Sequence, residues 1–252
     1  MELRSTFQSI ISLHQEELPF ALQERSTQLP LDGNRIVTVT GIRRCGKSSL
    51  LGLTINRLLQ QGTPKERILY VGFDDERFLS MSPENFDELL QAYREMYPDT
   101  SLKDVYMFFD EIHLIEGWEL FVLRVYKNYC KHIYITGSTA KMLSEEMASA
   151  LRGWPDEYRE YPLSFKEYLA FKGTKTNPFS EAGKAKLAVS FRGWRFSRGS
   201  SRKKQDGKSQ NPAVLLQHNA LQGYGGALSY RSFSFGGALF LKACDEQSHE
   251  AD

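Results

Sequence analysis

A glycine-rich segment, GIRRCGKS at residues 41–48, is the feature that most constrains how this chain can fold. The segment fits the pattern G-x-x-x-x-G-K-[S/T] and lies between an apolar run at 36–40 and a helical pattern at 47–61. Glycines let the backbone curl so that successive N–H groups point inward, and the following helix adds its positive end. A strand, this loop and a helix in that order predict a phosphate-binding loop.

Two side chains of this loop have predicted roles. Lys47 is expected to reach the β and γ phosphates of a nucleotide, and the Ser48 hydroxyl is expected to bind Mg²⁺. Arg43 and Arg44 lie at the tip, where they either steer an anionic ligand or are simply solvated. The residues predicted to contact the ligand are Gly41, Ile42, Arg43, Arg44, Cys45, Gly46, Lys47, Ser48 and Ser49.

A second motif follows the apolar run at 105–109, which ends in Asp110 and Glu111. A strand that ends in a carboxylate brings Asp110 to the sheet edge beside the first loop, where it can bind the Mg²⁺ that bridges the phosphates. Glu111 is predicted to orient and deprotonate an attacking water. The alternative is that Glu111 is a solvated carboxylate at the start of a loop.

The strand predicted at 133–136 is followed by small polar residues. If this strand lies between the two motif strands, it directs a hydroxyl toward the γ phosphate. Ser138 is the first candidate for that hydroxyl and Thr136 the second. Alternatively, both are turn and cap residues that follow a strand.

Alternating strands and helices predict an α/β fold with a parallel sheet flanked by helices. A further amphipathic helix, or a pair of helical turns, is expected over 7–22. Ser82, Pro83 and Glu84 are typical of a helix start, with a cap, a first-turn proline and a carboxylate near the positive end. The predicted strands are 36–40, 68–73, 105–109 and 133–136, and the predicted helices are 47–61, 83–96 and 118–129.

Composition excludes several classes of protein. The chain has 252 residues, of which 41% are hydrophobic and 25% charged, so it is not fibrous, collagen-like or wholly disordered. A net charge of +1 gives no general argument for nucleic acid or an anionic membrane. Three cysteines are too few for a disulfide framework and favour a reducing cytoplasm. We find no signal-peptide or membrane-spanning pattern and expect no membrane partner.

The last part of the chain differs in composition. Residues 184–208 contain nine basic residues and one acidic residue, and the remainder is rich in glycine and serine. No helical or strand period persists there, so we predict a poorly structured, largely disordered tail. Phe191, Trp194 and Phe196 lie among the basic residues, which is a composition that can contact DNA. The alternative is a solvated tail with no ligand.

Several segments together resemble the prokaryotic AAA-family ATPases of the AAA+ superfamily, in a group whose members usually carry an additional C-terminal domain. The resemblance covers roughly residues 15–173 and implies an AAA-type core with strand order 5-1-4-3-2 and ATP and Mg²⁺ as ligands. It also implies the roles given above for Lys47, Ser48, Asp110, Glu111 and Ser138. The segments are 41–51, 73–78, 109–113 followed by 117–119, 135–139 and 161–168.

The chain departs from this family pattern in two places. Family members commonly carry two arginines in the segment that follows the strand predicted here at 133–136. In this chain the corresponding sequence is Leu151-Arg-Gly-Trp-Pro155. Arg152 is therefore either an arginine that acts on a neighbour's nucleotide or a surface arginine. The region after Gly173 differs from the family's helical, nuclease-like continuation, and our hypothesis is a truncated or frameshifted form. We predict an N-terminal helical segment at 1–30, an ATPase core at 31–173 and the tail at 174–252.

The resulting prediction is an ATPase that hydrolyses ATP to ADP and phosphate with Mg²⁺. The alternative is a nucleotide-dependent switch with little or no turnover, in which ATP orders the loop around Asp74, Asp75 and Arg77 to dock a partner. A third reading is a degraded family member that binds nucleotide without turnover. The expected partners are ATP, further copies of the chain, and DNA or a protein.

Overall fold

The structure is a computed structural model that describes residues 3–138, 151, 153–174, 180–199, 230–235 and 238–243. A five-stranded sheet has the order β2-β3-β4-β1-β5, and each pair of neighbouring strands is parallel. This arrangement confirms the predicted α/β class and the strand order implied by the resemblance. The strands are β1 (Ile36–Gly41), β2 (Ile68–Gly72), β3 (Tyr106–Asp110), β4 (His132–Ser138) and β5 (Pro155–Arg159).

Burial explains which strands the sequence pattern could predict. Every residue of β1 and β2 is buried, and β3 is buried except at Tyr106. Strands covered by helices on both faces are continuously apolar, and that is the pattern we used. The edge strand β5 carries Asp156, Glu157 and Arg159 and is only partly buried. It therefore has no apolar run and was not among the strands predicted from the pattern.

In the part of the chain that the structure describes, four helices accompany these strands: α1 (Leu3–Glu16), α2 (Lys47–Gln60), α3 (Phe86–Met96) and α4 (Trp118–Asn128). The predicted helix over 7–22 is wrong at both ends. It begins at Leu3 and stops at Glu16, three residues before Pro19, because the residue before a proline disfavours the helical conformation. The predicted start at Ser82 is confirmed, since Asn85 Oδ1 accepts a hydrogen bond from Ser82 N at 2.9 Å.

One aromatic-rich core joins α1, α3 and α4 to the sheet. The ring of Phe7 in α1 stacks on Phe78 at 5.0 Å between centroids. Phe86 of α3 stacks on Phe121 of α4 at 4.3 Å. Interiors packed in this way are close-packed rather than fluid. The core therefore fixes the carboxyl ends of the strands, where the two motifs lie.

The chain forms two compact units, residues 1–161 with 234–239 and residues 162–233 with 240–252. The first contains the sheet described above. The second contains α5 (Phe165–Phe171) and α6 (Glu181–Gly199). Strands β6 (Tyr230–Phe235) and β7 (Ala238–Ala243) form a separate two-stranded sheet. The domain boundaries at 30 and 173 stay predictions.

Helix α6 corrects the expectation of a tail without regular structure for residues 181–199. Gly183 N donates to Ser180 Oγ at 3.0 Å at the start of this helix. Phe191 and Trp194 are three residues apart and lie on one helical face, with ring centroids 5.3 Å apart. Both rings also contact Phe165 of α5. The aromatic spacing was the signal that the glycine and arginine content obscured.

Among the described residues, no helix combines the length and the apolar character that crossing a bilayer requires.

Candidate functional site

The phosphate-binding pattern forms the turn that joins β1 to α2. Gly46 has φ of 105°, a left-handed conformation that favours glycine, and it immediately precedes the first residue of α2. Ile42, Arg43 and Arg44 at the tip are exposed, whereas Lys47 is only 4% exposed. The loop thus presents an exposed tip while the lysine side chain is directed into the site.

The two sequence motifs meet at Lys47 and Glu111. The ammonium Nζ of Lys47 lies 3.0 Å from Glu111 Oε1, and Nδ1 of His113 lies 3.3 Å from the other oxygen, Oε2. Glu111 itself has a left-handed φ of 51°. Its backbone N–H donates to Thr136 Oγ1 at 2.8 Å. Each functional group of Glu111 is therefore oriented by a neighbour from the loop, the turn after β3 or strand β4.

Asp110, the last residue of β3, is fully buried and is surrounded by hydroxyl groups. Tyr70 of β2 donates to Asp110 Oδ2 at 2.8 Å, Thr136 of β4 donates to Oδ1, and Ser48 donates from the phosphate loop. Burial raises the pKa of Asp110, and these hydrogen bonds partly oppose the rise. The charged form of this carboxylate would gain from a cation.

The structure brings together most of the predicted site residues. Asp110 and the Glu111 backbone both contact Thr136, the second of the two hydroxyl candidates, and Ser48 contacts Asp110. Ser138 ends β4, where its backbone pairs with Gly41. The Ser138 side chain lies outside what the structure describes, and Arg152 lies outside the described residues. The predicted roles of all these residues stay predictions.

A second group of acidic residues follows β2. Asp75 accepts hydrogen bonds from the Arg77 guanidinium at 2.9 and 2.7 Å and from the Arg77 backbone N–H at 2.9 Å. These bonds hold the pKa of Asp75 below its usual range. Burial raises the pKa of Asp74, and the nearby charge of Glu111 adds to the rise. The strand end after β2 is thus electrostatically linked to the motif after β3.

Sequence reasoning missed three residues that contact the motifs. Tyr70 lies in a strand run that we read only as apolar, although a buried tyrosine hydroxyl needs a hydrogen-bond partner and so carried a signal. Arg25 and Glu160 form a buried ion pair beneath the phosphate loop. They are far apart in sequence and both lie outside the motifs, so no local pattern could have indicated that they meet.

Residues 33–169 match the AAA domain family. This stretch is more than half of the chain and contains both motifs and all five strands of the parallel sheet. The chain belongs to the AAA domain family. Residues 33–169 are thus a domain of the nucleotide-binding, ATPase type.

This AAA domain also has relatives among curated proteins, and both are uncharacterized. One, from Methanocaldococcus jannaschii, is 34% identical over 164 residues, which is 65% of this chain and 35% of that protein. Another, from Haemophilus influenzae, is 39% identical over 142 residues, which is 56% of this chain and 34% of that protein. The chain thus spans about a third of the length of the curated relatives it matches.

Among solved structures, AMPPCP-bound DnaA from Aquifex aeolicus is similar over 86% of this chain and 61% of its own, with a TM-score of 0.42 and 16% sequence identity. This likeness is too distant to add to the functional argument, which rests on the AAA domain and its site.

Proposed function

We propose that this AAA domain binds ATP together with Mg²⁺ and hydrolyses it to ADP and phosphate. The observation that carries the proposal is the 3.0 Å contact between Lys47 Nζ and Glu111 Oε1. This contact joins a loop suited to phosphates to a carboxylate suited to activating water. Asp110, next to Glu111 in the sequence, accepts a hydrogen bond from Ser48.

Ser48 and Asp110 fit a magnesium ion. The half-buried Ser48 hydroxyl already meets the fully buried Asp110 carboxylate. Mg²⁺ takes oxygen ligands, uses few from the protein and takes the rest from water and phosphates. Among the described residues, no group of three or more His, Cys, Asp or Glu side chains could hold a metal. When bound, Mg²⁺ neutralises charge on the phosphates.

The chain's own residues then have distinct tasks. The N–H groups of the loop and the start of α2 bind the phosphates, with Lys47 on the β and γ groups. Glu111 orients a water and accepts its proton, and its carboxylate is oriented by Lys47 and His113. We assign Ser138 to the γ phosphate because its backbone pairs with Gly41 at the start of the loop. Phosphoryl transfer needs positioning and charge neutralisation more than covalent help.

The test is Mg²⁺-dependent phosphate release by the purified chain, compared with Lys47→Ala and Glu111→Gln. Turnover should fall to background in both variants, and Glu111→Gln should still bind ATP because the loop is intact. Two exposed residues supply matched controls, Lys127→Ala in α4 and Glu116→Gln after β3. Equal turnover in Glu111→Gln and the unaltered chain would contradict the assignment of the base.

The same assay tests the partner proposals. A homo-oligomer in which a neighbouring copy completes the site gives turnover per subunit that rises with protein concentration. An arginine supplied in trans contributes about 10³ to 10⁵ in rate, so the separated monomer should be slow. DNA or a protein partner is tested by its stimulation of turnover. The cytoplasmic localisation predicted from the three cysteines is also part of this proposal.

A nucleotide-dependent switch is the second candidate, and one observation favours it. Both carboxylate oxygens of Glu111 are already engaged, by Lys47 and His113. Phosphates that draw Lys47 away would release Glu111 and change the field at Asp74, whose pKa responds to Glu111. A switch predicts tight ATP binding without turnover at any concentration. It also predicts that ATP and ADP differ in the amide hydrogen exchange they produce at residues 74–78.

A further inference from the structure

The segment between α1 and β1 contributes a buried ion pair to the phosphate loop. The Arg25 side chain is 6% exposed, and the Glu160 side chain that it pairs with is fully buried. Glu160 immediately follows β5, on the side of the loop away from Asp110 in the strand order. Two charges are costly to bury, so a pair at this depth requires further hydrogen bonds with good geometry.

Arg25 makes those further hydrogen bonds to the main chain. Nη1 donates to the carbonyl oxygen of Cys45 at 3.0 Å, inside the phosphate loop. Nη2 donates to the carbonyl oxygen of Tyr161 at 2.8 Å and also contacts the Glu160 carboxylate. The guanidinium is planar and its donors have fixed directions, so these acceptors are held at fixed positions relative to one another.

Both glycines of the loop motif lie against a member of this pair, Gly46 against the Arg25 guanidinium and Gly41 against the main chain of Glu160. A Cβ atom on Gly46 would lie 2.6 Å from Arg25 Nη1, and one on Gly41 would lie 2.5 Å from the backbone oxygen of Glu160. Glu160 N–H also donates to the carbonyl oxygen of Thr40 at 2.7 Å. The absence of a side chain therefore leaves room for the Arg25 guanidinium at Gly46 and for the Glu160 main chain at Gly41.

We infer that Arg25 and Glu160 are positioning residues that hold the main chain of the phosphate loop in its nucleotide-binding conformation. Arg25 acts through the Cys45 carbonyl, and Glu160 acts through Arg25 and through the end of β1. The effect on nucleotide affinity rests on the proposed function, whereas the effect on the loop itself does not.

The test uses a double variant, Arg25→Met with Glu160→Leu. Replacing both members leaves no uncompensated buried charge, and such replacements often keep or raise stability. The matched control is Arg35→Met with Asp156→Leu, which removes an exposed ion pair, 2.9 Å long, between the start of β1 and β5. Arg25→Lys is a third variant. Lysine keeps the positive charge but lacks the planar guanidinium, whose donors in fixed directions reach several acceptors at once.

Two measurements are made on each full chain. Amide hydrogen exchange is followed in the loop, residues 41–49, and in β3 as an internal reference. Trypsin cleavage after the exposed residues Arg43 and Arg44 gives an independent readout of loop mobility. ATP and ADP affinities are then measured by calorimetry with Mg²⁺.

The inference predicts loop exchange and loop cleavage at least about 10-fold faster in the Arg25/Glu160 double variant, with β3 exchange unchanged and ATP bound about 10-fold or more weakly. In Arg25→Lys, the loop exchange rate, the loop cleavage rate and the ATP affinity should lie between those of the double variant and the unaltered chain. The control double variant should match the unaltered chain in all three. Unchanged loop exchange in the double variant, or equal acceleration throughout the chain, would overturn the inference. If the unaltered chain binds no nucleotide, the proposed function fails, and loop exchange still decides the role of the ion pair.

Discussion

Two buried carboxylates flank the phosphate loop, and they differ in the groups that surround them. Glu160, on the β5 side, is paired with the guanidinium of Arg25. Asp110, on the β3 side, is met by the hydroxyls of Tyr70, Thr136 and Ser48. In the described part of the chain its partners are neutral donors and not a cation. The same loop is therefore bordered by one carboxylate whose charge is balanced within the protein and one whose charge is not.

The difference separates structure from function at this site. A carboxylate with an internal cation has no need of an external one and contributes to a fixed main chain. A buried carboxylate held only by hydroxyls has a raised pKa and gains from an external cation. Asp110 is thus suited to bind a metal, and Glu160 is suited to hold the loop. Four changes would sharpen or break this comparison.

The largest expected effect is that of Asp110→Asn on turnover. The amide keeps the shape of the side chain but lacks the charge that binds Mg²⁺, so we expect Mg²⁺-dependent hydrolysis to fall to background. Stability should not fall, because burial already disfavours the charged form of Asp110. Phosphate release and thermal unfolding measure the two quantities. Asp104→Asn, an exposed residue before β3, is the control. A large loss of stability in Asp110→Asn would break the comparison.

Arg25→Met alone should have the opposite profile. It leaves the fully buried Glu160 without its guanidinium, and breaking a buried pair in this way costs about 3 to 5 kcal/mol of unfolding free energy. Urea unfolding measures this loss, and Arg35→Met should change the same quantity by less than about 1 kcal/mol because its pair is exposed. A loss no larger than that of Arg35→Met would show that Glu160 does not depend on Arg25.

Low pH should reduce the free energy of unfolding through protonation of His14. The His14 ring packs edge-on against Tyr70, the residue whose hydroxyl donates to Asp110, with centroids 4.6 Å apart. Burial lowers the pKa of His14 from 6.5 to about 4; the charge of Asp75 opposes this shift and the charge of Arg77 adds to it. The unfolded chain therefore binds more protons at this residue than the folded one between these values, and stability rises with pH across that window.

The expected loss of unfolding free energy from His14, as pH falls from 6.5 to about 4, is at most about 3 kcal/mol. Urea unfolding across this pH range measures it. His14→Phe keeps a ring against Tyr70 and should flatten the dependence over the same window. An equally steep dependence in His14→Phe would assign the acid sensitivity to other groups.

The smallest expected effect is that of Tyr70→Phe, which removes one hydroxyl from Asp110. That hydrogen bond favours the charged carboxylate, so its loss should raise the pKa of Asp110 further and weaken Mg²⁺ binding about 10-fold. The Mg²⁺ dependence of turnover measures it. Tyr134→Phe removes another buried tyrosine hydroxyl, which donates to the Pro30 carbonyl at 2.8 Å, and should leave Mg²⁺ dependence unchanged.

The sequence predicted the Asp110 side of the loop far better than the Glu160 side. The loop, Asp110 and Glu111 belong to local patterns in which a strand, a turn and fixed residue types occur together. The β5 side depends on contacts between distant positions, since Arg25 and Tyr161 are 136 residues apart. A polar edge strand and an arginine in an irregular segment carry no periodic signal.

One further difference has a local cause. Residues 181–199 form a helix where an irregular tail is predicted, because glycine and arginine content outweighed the spacing of two aromatic residues. The contacts that decide this helix are tertiary, and composition does not report them. The buried Thr136 hydroxyl contacts both Asp110 and the Glu111 backbone, and the ranking of Ser138 above Thr136 stays a prediction.

The packing of α1 has a consequence for anyone who cuts this protein into smaller pieces. The family match begins at residue 33, yet Phe7, Ile10 and Ile11 are buried in the same core as the sheet, and Arg25 reaches the loop from outside the matched range. A fragment trimmed to 33–169 would lack α1 and Arg25. It would expose the apolar side chains of α3 that α1 covers, and it would leave the buried Glu160 carboxylate without its guanidinium partner. The folded unit around the phosphate loop therefore includes α1 and Arg25, upstream of the matched residues.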